Sequence, residues 1–328
     1  MPYLIQDRPA AAGARPVPAA PHAACRAAAP GLLLSLLAGL LCLATARIAA
    51  ADENLVERGR YLFNIAGCTS CHTDDQPLAG GRPLDTPFGT FYPPNITPDR
   101  TQGIGAWSEA DFLRALGEGI SPAGEEYFPA FPYTSYTRIS RADMQALYAY
   151  LMTRPAYPRA NRPHELPWYL FSRRLVRDWK PGRFSPGHYT PDPAQSAQWN
   201  RGAYLATALG HCGECHTPRG LLGGLHRDRH LAGNRRGPDG RRVPNITMDG
   251  ATGLGQWTPE QHRAFLATGR RPDGSYTGPL MAEVLATSSL SLTDSDRQAL
   301  ATYLRSLPPV HHDIYYRFDP FADRDFYQ

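Results

Sequence analysis

The sequence predicts an all-α protein made of two tandem copies of one small helical domain, with long loops between the helices. Three observations predict it. The pattern Cys-x-x-Cys-His occurs twice, at Cys68–His72 and at Cys212–His216. The surrounding segments recur in the same order: Arg58-Gly59-Arg60-Tyr61-Leu62 returns as Arg201-Gly202-Ala203-Tyr204-Leu205, and Asn95-Ile96-Thr97 as Asn245-Ile246-Thr247. Helix-start signals then fall at matching places in both copies. At 328 residues, 42% hydrophobic and 20% charged, the chain is long enough for two ordinary domains and a short extra segment, and it is neither disordered nor fibrous. Its formal charge is +4 and the basic residues form no block, so nucleic acid is not an expected partner.

Residues 1–51 read as a secretory signal. Arg8, Arg15 and Arg26 precede a 16-residue apolar run from Gly31 to Ala46, and Ala49-Ala50-Ala51 supplies small residues for cleavage. The uncharged stretch from Ala27 to Ala46 reaches 20 residues, so an uncleaved membrane anchor is the alternative. Leu41 before Cys42 is too large for a lipoprotein signal. The expected location is the periplasm. Removing the segment leaves 30 basic and 29 acidic residues, a mature chain of +1 with no electrostatic bias toward any partner.

The first domain is expected at 52–154 and the second at 196–310. Each opens with a helix leading to its cysteine motif, at about 55–66 and about 197–209. A middle helix follows, announced by the capping signals Ser108-x-x-Asp111 and Thr258-Pro259-x-Gln261. The closing helices start at Ser140-x-x-Asp143 and Thr293-x-x-Asp296, and carry Leu147 with Leu151, and Leu300 with Leu304, four apart on one face. Between the copies, residues 155–195 are rich in proline and hold Trp168, Tyr169, Phe171 and Trp179, which predicts an ordered, extended connection packed over one or both domains. The tail, 311–328, carries Tyr315, Tyr316, Phe318, Phe321 and Phe326; it either packs back on its own domain or forms a docking strip for a partner.

Cys-x-x-Cys-His is the attachment signature of a c-type haem. Two thiols two residues apart each form a thioether with one porphyrin vinyl group, and the adjacent histidine supplies the proximal nitrogen to iron. Cys68, Cys71 and His72 would hold one haem, and Cys212, Cys215 and His216 a second. A disulfide would leave both histidines unexplained. Zinc ribbons bring their pairs much closer in sequence, and a thioredoxin-like motif needs a βαβ setting that is absent.

The sixth ligand separates the copies. Met281, in Gly278-Pro279-Leu280-Met281, sits after the middle helix and before Thr293, where a loop methionine would complete a Met/His iron; Met248 is the reserve. The matching position in the first copy is Phe131, which cannot bind iron. Met144 and Met152 fall in the closing helix, Tyr127, Tyr133, Tyr136 and His164 are further candidates, and an open iron is the remaining one. The repeated Asn-Ile-Thr and the pair Trp107/Trp257 read first as a structural turn and core tryptophans, and second as haem-propionate partners.

With these motifs the chain resembles the two- and three-haem cytochrome c subunits of bacterial periplasmic dehydrogenases, the quinoprotein alcohol, gluconate and molybdenum hydroxylase-type systems. The likeness rests on Arg201 through Cys212-x-x-Cys215-His216-Thr217-Pro218-Arg219, on Phe128-Pro129-Ala130-Phe131-Pro132-Tyr133, and on Leu147 through Arg154. It implies two class I cytochrome c domains, a quinoprotein, flavoprotein or molybdenum dehydrogenase as partner, and a quinone or terminal oxidase as acceptor, with membrane association a further expectation. No third Cys-x-x-Cys-His follows. The expected function is transfer of single electrons. The alternative is an enzyme, a peroxidase or an oxidoreductase of small sulfur compounds, working at an open iron beside Phe131.

Overall fold

The computed structural model describes residues 52–170 and 173–315. The proposed signal, and Tyr316, Phe318, Phe321 and Phe326 of the tail, lie outside them, as does Phe171. Among the described residues no helix is long and apolar enough to cross a membrane.

Helix α1 occupies 52–65 and leads into a short helix, α2, at Cys68–His72. A hairpin follows, β1 (Leu84–Thr86) and β2 (Gly89–Phe91), and then α3 (Glu109–Glu118), α4 (Tyr133–Tyr136) and α5 (Arg141–Met152). The connection carries α6 (Arg174–Trp179). The second half repeats the order with α7 (Ala197–Tyr204), a π-helical turn at Leu205–Leu209, α8 (Gly213–His216), α9 (Pro259–Thr268), α10 (Pro279–Thr287) and α11 (Asp294–Arg305).

The expected starts of the middle helices are present in full: Ser108 with Asp111, and Thr258 with Gln261, exchange both hydrogen bonds of a capping box. The closing helices depart from expectation. Ser140 and Thr293 accept the backbone N–H of Asp143 and Asp296, but neither carboxylate returns the bond. Both are drawn away, Asp143 by Arg58 and Asp296 by Arg201.

An all-α fold is corrected by the β1/β2 hairpin, antiparallel with Thr86 opposite Gly89. The two-residue turn Pro87-Phe88 is fixed by Thr86, whose hydroxyl accepts from Phe88 N–H (3.1 Å) and donates to Gly89 O (2.8 Å). Gly89 sits at φ 116°, which a side chain would resist. The connection joins this hairpin through the paired bonds of Glu165 and Thr90, both 2.9 Å.

Between Tyr61 and Cys68 lie six residues, and between Tyr204 and Cys212 lie seven. The extra residue is absorbed as the π turn, so the expected continuous helix at 197–209 is instead α7 followed by a wider turn.

Glycine lets the first and last helices of each half cross. A Cβ on Gly59 would lie 1.9 Å from Ala146 O, and one on Gly202 would lie 2.0 Å from Ala299 O. The apolar faces of these helices, with Leu62, Ile65, Met144 and Leu147 in one half and Leu205, Leu209, Leu300 and Leu304 in the other, join one continuous core.

The connection packs over the first half. Lys180 pairs with Glu126, Gly187 N–H donates to Thr137, and Tyr189 N–H donates to Arg138 O. Trp179 reaches the second half by donating to Leu222 O (2.6 Å). Trp168 departs from that packing and is 80% exposed. As far as it is described, the tail folds back: His312 and Ile314 are buried, and the His312 ring meets Ala232 O at 2.9 Å.

Candidate functional site

Gly67 precedes Cys68 in the left-handed region (φ 64°), and His211 holds the same region before Cys212 (φ 37°). These reversals detach each motif from the helix before it. The four thiols form no disulfide. Burial pushes the Cys68 and Cys215 thiols up to about 12 and Cys212 to about 11, and raises Cys71.

The histidines are oriented identically. His72 Nδ1 lies 2.7 Å from Pro94 O, and His216 Nδ1 lies 2.8 Å from Pro244 O. A carbonyl oxygen only accepts, so Nδ1 carries the proton and Nε2 keeps its lone pair. Burial holds both imidazoles below their ordinary pKa and therefore neutral. A ring fixed through Nδ1 with a bare Nε2 is the geometry of a histidine metal ligand.

The carbonyls are held by the repeated Asn-Ile-Thr. Asn95 Oδ1 accepts from Thr97 N–H (2.9 Å) and Oγ1 (2.7 Å), and its Nδ2 donates to Tyr157 O (2.7 Å). Asn245 repeats this with Thr247 and with Val310 O (2.8 Å). These asparagines are thus fully engaged with backbone and hydroxyls, which is the structural-turn reading. A loop closes the arrangement from below: Gly80 N–H donates to His72 O (2.8 Å) and Gly233 N–H to His216 O (2.7 Å). The signal for this loop, Leu78-Ala79-Gly80 repeated as Leu231-Ala232-Gly233, was present in the sequence and unused.

The residues fit a c-type haem in chemistry: two part-buried thiols outside any disulfide, and a neutral histidine with its second nitrogen free, in each half. Among the described residues no group of three or more His, Cys, Asp or Glu side chains converges as a metal cage. Cysteines and histidine of one motif therefore do not gather on a single ion as a zinc site would require.

Met281 is part-buried, and its expected loop setting is corrected. Pro279 occupies the first turn of α10 and the following Leu-Met-Ala-Glu are good helix formers, so Met281 stands in that first turn. Met144 is 1% exposed within the core, and Met152 packs at the end of the same helix. Phe131 lies among aromatic rings, with Tyr127, Tyr133 and Tyr136 at centroid distances of 5.6, 6.2 and 5.9 Å. His164 accepts from Tyr92 N–H (3.1 Å) and stands edge-on to Phe91 and Phe128. Trp107 and Trp257 give their carbonyls to Tyr148 and Arg305 of the closing helices, and of the two tryptophans Trp107 packs against the core.

The structure adds a seam between the motifs that the sequence reading missed. Tyr136 Oη donates to Ala66 O (3.0 Å), just before Cys68, while its ring meets His211, just before Cys212, at 5.4 Å. Glu214, inside the second motif, accepts from Thr134 (2.7 Å) and Ser135 (2.6 Å) of α4 and pairs with Arg219. Burial alone would raise its pKa, but Arg219 and the two hydroxyls outweigh this and hold the carboxyl below the usual range. The inequivalence of Ser70 and Glu214 at the same motif position was the available signal.

Residues 56–155 match the family described as Cytochrome c. The chain is 38% identical over 305 residues to a diheme cytochrome c-type protein of Cereibacter sphaeroides, covering 87% of this chain and 99% of that protein. It is 39% identical over 288 residues to the gluconate 2-dehydrogenase cytochrome c subunit of Pantoea cypripedii (84% of this chain, 64% of the relative). It is 40% identical over 265 residues to the fructose dehydrogenase cytochrome subunit of Gluconobacter japonicus (79% and 54%). The chain thus spans 64% and 54% of the lengths of these two dehydrogenase subunits.

Proposed function

The chain belongs to the cytochrome c family, and on that premise we propose that it is a two-haem electron carrier serving a dehydrogenase. The reading takes 52–154 and 196–310 as two tandem class I cytochrome c domains, joined by 155–195 and followed by the tail 311–328. Cys68 and Cys71 would bind one haem through sulfur with His72 on its iron; Cys212, Cys215 and His216 would bind the other. Met281 would complete the second iron, and Phe131 leaves the first without a methionine at the matching place. The observation that carries this is the twin Nδ1-to-carbonyl bond of His72 and His216, which frees Nε2 beside two unpaired thiols in each half.

A bound haem supplies reversible one-electron chemistry at iron. The chain's own part is to hold each imidazole neutral and in one tautomer, and to bring the two motifs together across Tyr136. Electrons would come singly from a quinoprotein, flavoprotein or molybdenum dehydrogenase and leave to a quinone or terminal oxidase. With 1–51 read as a secretory signal, the mature chain would work in the periplasm.

The test is the exported, mature chain. Mass spectrometry is expected to show cleavage after Ala51 and two covalently added haems, and a redox titration two one-electron steps. An unmodified polypeptide overturns the reading. Peroxide or sulfur-compound turnover by the purified chain would replace the carrier with the enzyme that the Phe131 substitution allows.

A further inference from the structure

Helix α10 serves two masters, and its two sides show it. Glu283 and Thr287, four residues apart, face the first half. There Arg82 grips both carboxylate oxygens of Glu283, one at 2.9 Å and the other closer, while donating to Ser70 O as well. Thr287 Oγ1 lies 2.8 Å from Ser70 Oγ, and Ser288 Oγ donates to Ile65 O at 2.6 Å. Ser70 sits between the two cysteines of the first motif. On the other side, about 200° round the helix from Glu283, stand Met281 and Leu285. Leu285 is buried, and its Cδ1 would lie 2.9 Å from a Cβ placed on Gly269, at the end of α9 in its own half.

We propose that Arg82, Glu283, Ser70 and Thr287 are positioning residues for Met281: the first haem-attachment motif sets the height and rotation of α10, and so places the thioether for the second haem. The inference rests on the reading of Met281 as that haem's sixth ligand. The N-terminal end of α10 cannot do this itself. Gly278 offers no side-chain cap, and Pro272, Asp273, Ser275, Tyr276, Gly278 and Pro279 are exposed. A bidentate guanidinium–carboxylate pair, by contrast, fixes orientation as well as distance. The ligand of one haem is thereby tied to the attachment of the other.

The test uses the full-length exported holoprotein and the weak charge-transfer band by which ferric haem reports thioether sulfur, together with the potential of the second haem. Met281→Ala is expected to abolish the band and lower the potential. Arg82→Gln and Glu283→Gln are each expected to remove about half of the band or more. In a two-state description, moving from about 90% to about 50% ligated is roughly a tenfold shift in equilibrium. Arg82→Lys should recover part of it, and Thr287→Ala, milder for folding, should show a smaller loss of the same sign. Arg58→Gln breaks an ion pair within the first half, away from α10, and should leave the band unchanged. If Met281→Ala abolishes the band while Arg82→Gln, Glu283→Gln and Thr287→Ala keep it whole, the positioning role is wrong and the ligand stands. If Met281→Ala keeps the band, the ligand assignment falls, and the positioning role with it.

Discussion

Tyr204 Oη donates a 2.5 Å hydrogen bond to Asp143 Oδ2, from the second repeat into the first. Tyr61 returns the gesture by donating to Asp296 Oδ2 at 2.7 Å. Each carboxylate is also paired with an arginine of its own half, Asp143 with Arg58 and Asp296 with Arg201. The repeated Arg-Gly-x-Tyr thereby acquires a physical meaning. Its arginine locks the closing helix of its own copy, its glycine lets that helix approach, and its tyrosine crosses to the other copy.

Removing either tyrosine hydroxyl should weaken the whole described unit rather than one half. Tyr204→Phe and Tyr61→Phe are each expected to lower stability by about 1–3 kcal/mol, since each leaves a carboxylate short of a partner. Guanidinium unfolding followed separately at the haem proposed for each half checks this. The expected outcome is one coincident transition that shifts, and a split into two transitions contradicts it.

Acid should loosen the boundary through Asp296. Burial opposes its ionised form, but Arg201 and Tyr61 more than offset that and hold its pKa below the ordinary carboxylate value. A carboxylate depressed in the folded state contributes stability that is present above its unfolded pKa of about 4 and is lost as pH falls through the lower folded value. Asp296→Asn should flatten that part of the stability–pH curve. An unchanged slope below about pH 4 would contradict the assignment.

Gly59→Ala and Gly202→Ala should be far more damaging than their size suggests. The added carbon would meet backbone oxygens at 1.9 and 2.0 Å, which no rotamer change can relieve. A loss of about 1–3 kcal/mol or more is expected, with reduced yield of holoprotein. Gly250→Ala, whose Cβ would meet nothing within 4 Å, is the matched control and should be nearly neutral.

Asn95→Ala and Asn245→Ala are expected to destabilise by about 1–3 kcal/mol each, because buried N–H and O–H groups of Thr97 and Thr247 lose their acceptor. They also free the carbonyls that orient His72 and His216, so each variant should shift the potential of the haem proposed for its own half and leave the other's alone. Asn95→Asp keeps the Oδ1 acceptor and loses the donation to Tyr157 O, which separates the two contributions.

The motifs, the helix starts and the helical order of both copies were legible because each depends on local chemistry: adjacent cysteines and histidine, or a hydroxyl three residues ahead of a carboxylate. The hairpin was not, since Leu84-Asp85-Thr86 carries no alternation long enough to declare a strand, and its turn rests on Thr86 alone. The setting of Met281 was misjudged as a loop because Gly278-Pro279 reads equally as a turn and as a helix start. Glu214 was passed over for a different reason. Its partners Thr134 and Ser135 are about 80 positions away in sequence, and only folding brings them near.

The π turn at Leu205–Leu209 bears on how the two copies have come to differ. One extra codon in a plain helix would swing everything beyond it by about 100°, and would have turned Cys212 and Cys215 away from their place. Widening a single turn confines that disturbance to five residues. The second half thus carries one residue more than the first between its tyrosine and its first cysteine, and a widened turn takes it up without lengthening α7.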